Sequence, residues 1–275
     1  MLVTLGYLPK NLRAKKSEVN FLPSFPEGKG DPDLERERPA IIVEMTKRKA
    51  DWKQVGEMMN ITFPLRRKEI VENEPLVAEV KERWPALFKE QQIEVEFARL
   101  TTVDLKKSFF SGLDQHLPRF LELFKAKSGK SAGLSRQLKC LDDDSSMLRK
   151  RSVVLLGLPY FLKDDPSNAF KTVQAIDEEA TFTRGLKVGV LLVKDREDII
   201  ATSVILEEQV VLPDVEDIPH AIALLMGLLF ALNIDYPKEL RYTFQVFQKI
   251  LMNIGGGQCS SLVHGLRNRL LRKTM

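Results

Sequence analysis

Asp214, Glu216, Asp217 and His220 fall within one short stretch of the chain. Carboxylates and an imidazole so close could do acid–base work or hold a divalent cation. The same residues also read as a solvated loop running into a helix start, where acids complement the helix dipole and Asp217 can act as the cap. Gly129-Lys130-Ser131 invites comparison with a phosphate-binding loop. That motif needs a further glycine upstream, at a position held here by Phe124, and a strand before the loop, where the pattern here is helical. His116, His220 and His264 lack partners at metal-ligand spacing, and neither Cys140 nor Cys259 has a neighbour at the spacing of a zinc site. No serine, cysteine or threonine sits in a recognised nucleophile context. The expectation is a protein that is not an enzyme, with no catalytic residue, no cofactor and no metal.

Basic runs are the second source of chemistry. Lys47-Arg48-Lys49, Arg66-Arg67-Lys68, Arg149-Lys150-Arg151 and the basic residues from Arg267 to Lys273 could contact phosphates. Arg66, Arg67, Lys68, Arg149, Lys150 and Arg151 are the candidate anion contacts. They lack interleaved aromatic residues and a groove-reading module, so ordinary solvated helix faces are the competing reading. Charge is unevenly spread. Residues 177–217 carry eleven acids and four bases, a net −7, which leaves +11 for the rest of a chain of net +4. A basic body could attract an anionic partner at long range; equally, the two regions could attract each other or face water.

A third candidate is Phe21-Leu22-Pro23-Ser24-Phe25-Pro26. Prolines and glycines between Phe21 and Pro32 exclude helix, so residues 1–33 read as an extended, proline-rich segment. Phe21, Leu22 and Phe25 would seek apolar contact, either across the folded body or in a partner's groove.

From Leu34 to Ala175 apolar residues recur at three and four positions, the pattern of helices packing on a core. A first helix is expected to start near Pro39, because proline suits a first turn. Trp52, Val55, Met58 and Met59 mark another, and Leu76, Val80 and Trp84 a further one. After about residue 180 the character changes. Lys187–Val193, Ile199–Leu206 and Gln209–Leu212 read as a small antiparallel meander, which needs a helix against one face. Residues 221–234, AIALLMGLLFALNI, are fourteen residues without a charge. They are too short to span a bilayer, which takes about 20 apolar residues, so they mark a buried helix. Asp217 can cap it, Pro219 suits its first turn, and Asn233 to Tyr236 break it. Leu240, Phe244, Phe247, Leu251 and Ile254 then form the stripe of a helix over 237–254, antiparallel to the first. Gly227 inside the apolar helix predicts a close approach of a neighbouring element.

The expected fold is α+β, predominantly α-helical, with a small antiparallel β-meander packed against a C-terminal helical hairpin. Residues 1–33 would be extended. Residues 34–256 would form the helical domain, with the meander near 187–212, and 257–275 a basic tail. Two distant cysteines and no basic-then-apolar leader suggest a reducing compartment, cytoplasmic or nuclear.

Three phrases occur in order: Glu18 to Pro26 (EVNFLPSFP), Arg83 to Leu87 (RWPAL), and Phe230 to Lys238 (FALNIDYPK). Together they resemble the C-terminal region of the sterile alpha motif domain-containing protein 3-like family, which is expanded in fish. The resemblance spans roughly 17–255. It implies the C-terminal part of such a protein without the sterile alpha motif itself, standing alone or truncated. It implies no active site. The leading expectation is a non-enzymatic intracellular module that binds other proteins; the alternative is a nucleic-acid-associated protein that uses its basic helix faces. No membrane partner is expected.

Overall fold

The computed structural model describes residues 21–178, 181–196, 198–255 and 259–272. Glu18 to Asn20 of the first family phrase lie outside them. The predominantly helical α+β class holds. The described residues hold eleven α-helices and one four-stranded sheet. The chain divides into two compact units, one of residues 1–87 with 229–235, the other of 88–228 with 236–275.

The first unit holds α1 (Asp31–Thr46), α2 (Trp52–Ile61), α3 (Phe63–Lys68), which continues into a π-helical turn at Glu69–Asn73, and α4 (Val77–Arg83). Helix α1 starts eight residues earlier than Pro39 predicts. Pro32 lies in its first turn, and the Asp33 carboxylate accepts a hydrogen bond from the Gly30 N–H at 2.9 Å, which fixes the start upstream. Pro39 is therefore tolerated inside the helix, where it removes one backbone donor. Asp51 caps α2, accepting from the N–H groups of Lys53 and Gln54. Leu34, Ile41, Val55, Met59, Ile70, Val80 and Trp84 are all buried, so the three- and four-residue spacing of the sequence becomes the core of this unit.

Polar side chains tie that core together. The buried Trp84 indole N–H donates to Glu69 Oε2 at 2.8 Å. Glu69 also accepts from Arg83, whose guanidinium reaches Glu35 as well. These two carboxylates, with Glu69 first, hold Arg83 protonated more firmly than an ordinary arginine.

The second unit holds α5 (Glu90–Thr101), α6 (Leu105–Ser128), α7 (Ala132–Asp143) and α8 (Met147–Leu162), then the sheet, then α10 (Arg241–Val246) and α11 (Ser261–Leu271). Helix α9 (Ile218–Ala231) has residues in both units. Side-chain caps set the helix starts: Asp104 for α6, Ser131 for α7, Ser146 for α8 and Ser260 for α11. Gly129 to Ser131 form the short loop between α6 and α7.

The sheet runs β1 (Phe170–Gln174), β2 (Val188–Asp195), β3 (Asp198–Leu206) and β4 (Gln209–Leu212), in that spatial order. The meander β2–β3–β4 is antiparallel as expected, but β1 pairs with β2 in parallel, so the sheet is mixed. A parallel pair needs a connection of about a dozen residues, and the segment between Gln174 and Val188 supplies it. Gly189 lies where any Cβ would meet the Ala169 carbonyl, which lets the two strands' ends close together.

Residues 221–234 are buried throughout. Asp217 caps α9, accepting from His220 N–H at 2.8 Å, and Asn233 ends the segment with a left-handed φ of 54°. Gly227 marks a close approach: a Cβ there would meet Ile93 and Leu105. The stripe Leu240, Phe244, Phe247, Leu251 and Ile254 is buried as its spacing requires. Its backbone is not one α-helix, however. A 3₁₀ turn at Lys238–Leu240, α10, and a π-helical turn at Phe247–Leu251 replace it. The π turn sets the Leu251 carbonyl against Gly112 of α6, where a Cβ would collide with backbone. Of the segment expected as a basic tail, Ser261–Leu271 is helix with Val263, Leu266 and Leu270 buried, while 257, 258 and 273–275 lie outside the described residues.

Gly112 sets a test of this packing. Gly112→Ala should cost roughly 1–3 kcal/mol by overpacking, because the obstacle is backbone rather than a mobile side chain. Gly227→Ala, which meets side-chain methyls, should cost less. A urea midpoint unchanged in Gly112→Ala would disprove the close approach.

Candidate functional site

Strand β4 covers only part of β3. Its pairs run from Val204 to Leu206, and the chain then turns at Asp214, with a φ of 50°, so that Val215 N–H donates to the Thr202 carbonyl at 2.8 Å. Asp198 to Ala201 extend past that cover. Within this overhang the β2 pairing shifts: Lys194 faces Ile199 and Val193 faces Ala201, leaving Ile200 as the extra residue of a bulge. A bulge bends its strand and re-aims side chains. Here Ile199 and Ile200 are both exposed, Ile200 by 58%.

Opposite them lies the first turn of α8. Its cap is hydrogen-bonded: Asp144 accepts from the N–H and hydroxyl of Ser146 and from Arg149 Nε, and Ser146 Oγ accepts from Arg149 N–H. These bonds, the Ser146 N–H first, hold the Asp144 carboxyl below its ordinary range. Met147 and Leu148 project outward, 53% and 47% exposed. Between α8 and β3 is an open cavity of about 230 Å³, floored by Leu148, Ile199, Ile200, Val215 and Ile218. Its charged rim is Asp144, Arg149, Glu216 and Asp217. Large apolar side chains left in water around a concavity are the usual mark of a recognition surface.

Of the acid–histidine cluster seen in the sequence, Glu216 and Asp217 line the cavity, and His220 pairs with them. His220 Nδ1 lies 2.9 Å from Asp217 Oδ1 and 3.8 Å from Glu216. The His220 ring packs 4.8 Å from Phe110, and Arg151 sits 4.9 Å over the same phenyl ring. Asp217, joined by Glu216, raises the His220 pKa against the opposing effects of burial and Lys106. Burial pushes Asp217 up, but hydrogen bonds from His220 outweigh it and leave the carboxyl below its ordinary value. Ligand atoms of Glu216, Asp217 and His220 come within 4.8 Å of one another, a spacing a cation could use. Asp217 Oδ1 is already committed to the helix cap and to His220, and Glu216 is largely in water, so the observed role is the cap.

The other sequence candidates disperse. Arg66 and Arg67 are 0% exposed. Arg66 donates to the Met59 carbonyl at 3.0 Å and lies 5.2 Å from the Trp84 ring; Arg67 donates to the Ala231 carbonyl at 3.0 Å. Neither can reach a phosphate without local opening. Lys68 pairs with Asp31, Arg149 with Asp144 and Arg151 with Asp114 in a two-pronged contact at 2.8 and 2.6 Å. Lys150 is half-buried on α8. Phe21 and Leu22 are exposed and Phe25 is half-buried, so the extended segment is only partly packed. Sequence reasoning missed Leu148, Ile199 and Ile200. The available signal was two apolar pairs, Met147-Leu148 and Ile199-Ile200, each standing at the very start of an element beside acids. Among the described residues no helix is long and apolar enough to cross a membrane.

Two outcomes test these assignments. His220 contributes stability fully below its ordinary pKa of about 6.5, and that contribution is lost as pH rises through its raised folded value. Wild type should therefore lose its melting-temperature advantage over His220→Gln as pH rises above 6.5; an advantage that grew with pH would refute the pairing. Arg66→Ala should destabilise the fold by at least about 2 kcal/mol, through a cavity and an orphaned carbonyl. A solvated anion contact would instead leave stability unchanged.

Residues 34–89 match the family model of the helical domain of sterile alpha motif domain-containing protein 3. Human sterile alpha motif domain-containing protein 3 is 25% identical over 228 residues, which cover 82% of this chain and 42% of that protein. The chain thus spans less than half the length of the curated relative it matches. No solved structure matches it. The matched segment contains α1 from Leu34 on, α2 to α4, and the Trp84–Glu69–Arg83 knot that closes their core. The chain is thus similar to the sterile alpha motif domain-containing protein 3-like proteins, most closely defined by the helical-domain match at residues 34–89.

Proposed function

We propose that this chain is a non-enzymatic protein-interaction module, working in the cytoplasm or nucleus. The observation that carries the reading is the groove between α8 and β3, whose lining is part apolar and part polar. Leu148, Ile199 and Ile200 stand in water around it on backbone held by the Ser146 cap and the β2 pairing. A hydrogen-bonded frame that exposes large apolar side chains suits binding, because little ordering is needed when a partner arrives. The family relation supports the same reading. The groove offers no nucleophile beside a base. Its one serine, Ser152, donates its hydroxyl to the Leu148 carbonyl.

The nucleic-acid reading has weaker support. Arg66, Arg67, Arg149 and Arg151 are buried or held by acids, as described above. One observation still favours it: Lys127 and Arg269 converge on the Phe161 ring, at 4.6 and 5.4 Å, and burial, Lys163 and Arg269 together lower the Lys127 pKa. Lys127 donates to the Phe161 carbonyl near the end of α8, so a dipole-compensating role explains it equally well.

Proximity labelling in cells separates the readings. Partners recovered with wild type should be lost with Leu148→Asp and with Ile200→Asp, both surface changes expected to shift stability by less than about 0.5 kcal/mol. An identical set of proteins from wild type and both variants would reject the groove as the interaction surface. Recovery of RNA-bound species, weakening steeply with salt, would favour the nucleic-acid reading instead.

A further inference from the structure

We infer that the groove takes a short segment of another protein in which a large apolar side chain stands beside lysine or arginine. The inference rests on the interaction-module reading and adds the partner's chemistry to it. Size comes first. Pockets for drug-sized ligands run about 300–1,000 Å³, and this cavity is about 230 Å³ and open to solvent. It suits one or two inserted side chains of a longer segment that continues over the rim. The floor of Leu148, Ile199, Ile200, Val215 and Ile218 selects an apolar insert.

Charge sets the flanks. Asp144 and Arg149 on the rim neutralise each other, which leaves Glu216 and Asp217 as its net negative charge. Glu216 is 78% exposed, free to turn toward a bound segment. Asp217 stays ionised because His220 and the backbone N–H it caps favour its charged form. Asp198 and Asp214, adjoining the lining residues Ile199 and Val215 in sequence, carry the same sign. An acidic segment, or a phosphodiester backbone, would meet repulsion here. A cationic one would be steered in and would be weakened by salt.

The geometry also limits which residues matter. Leu148 on one side and Ile199 and Ile200 on the other are exposed, and all three stand at the start of an element fixed by a cap or a bulge. An inserted side chain would cover them without moving backbone.

The test uses the full chain and a displayed library of random twelve-residue peptides. Enriched peptides should carry leucine, isoleucine, methionine or an aromatic residue next to lysine or arginine. Synthesised and labelled, they should bind wild type and lose more than about tenfold in affinity with Ile200→Asp, as the loss of a central apolar contact does. Glu216→Lys should weaken the same peptides several-fold, and raised salt should do likewise. Circular dichroism and melting temperature of each variant establish that the fold is intact. Groove-dependent peptides that are acidic or uncharged would overturn the inference and leave the interaction reading standing. Peptides insensitive to Ile200→Asp and Leu148→Asp, or no enrichment at all, would overturn both. Self-association of the chain in sedimentation, abolished by Ile200→Asp, would identify a second copy as the occupant and also overturn it.

Discussion

A helix with no polar face constrains everything around it. From Ala221 to Ile234 every residue is buried and none is charged. Such a segment cannot border water on any side, so other elements must present apolar faces to it. Each fully buried leucine or isoleucine contributes roughly 1.5–3 kcal/mol, far more than an exposed ion pair supplies. The ends of the segment must then do the polar work. Asp217 closes one end through the His220 N–H, and the left-handed Asn233 closes the other. Where a neighbour approaches too closely for a side chain, Gly227 stands in the sequence.

The first unit solves the opposite problem, the placement of charge inside a core. Arg66 and Arg67 lie in the interior, and backbone carbonyls of Met59 and Ala231 receive their donors. The Trp84 ring lies beside the Arg66 guanidinium, an arrangement that favours arginine over lysine. Glu69 binds both the Trp84 indole and Arg83, so one carboxylate serves two donors. The run Arg66-Arg67-Lys68 resembled a phosphate-binding face because a basic triplet in sequence carries no sign of its depth. Only the third residue, Lys68, paired with Asp31, stands partly in water.

Local pattern made much of the fold legible. The 240–254 stripe predicted its buried face correctly, since helical periodicity depends on the chain alone, and Val55, Met59, Val80 and Trp84 are buried as their spacing requires, whereas Trp52 at the start of α2 stands exposed. The caps at Asp217 and the break at Asn233 were equally readable. What escaped were features decided by distant partners. The π turn at Phe247–Leu251 meets its neighbour at Gly112, far away in sequence. Strand β1 exists because Val190 to Lys194 are there to pair with it in parallel, and five residues of FKTVQ carry no signal of that partner. The early start of α1 follows from the Asp33 carboxylate accepting the Gly30 N–H, a bond that the proline at 39 obscured.

The groove was illegible for a related reason. Its floor comes from three separated segments: the start of α8, the overhang of β3 and the turn before α9. In sequence, Ile199-Ile200 reads as the opening of an ordinary strand, whose side chains would alternate between covered and exposed. Two structural facts change that. Strand β4 stops short, and the bulge opposite Val193 and Lys194 breaks the alternation, so two isoleucines in succession face water. An exposed strand end with apolar residues invites pairing with other chains. The nearby acids at Asp198, Glu216 and Asp217 oppose indiscriminate pairing, because a second copy would bring its own acids to the same place. The apolar floor supplies binding energy and the acidic rim decides who receives it, and these two properties come from different segments that meet only in the folded chain.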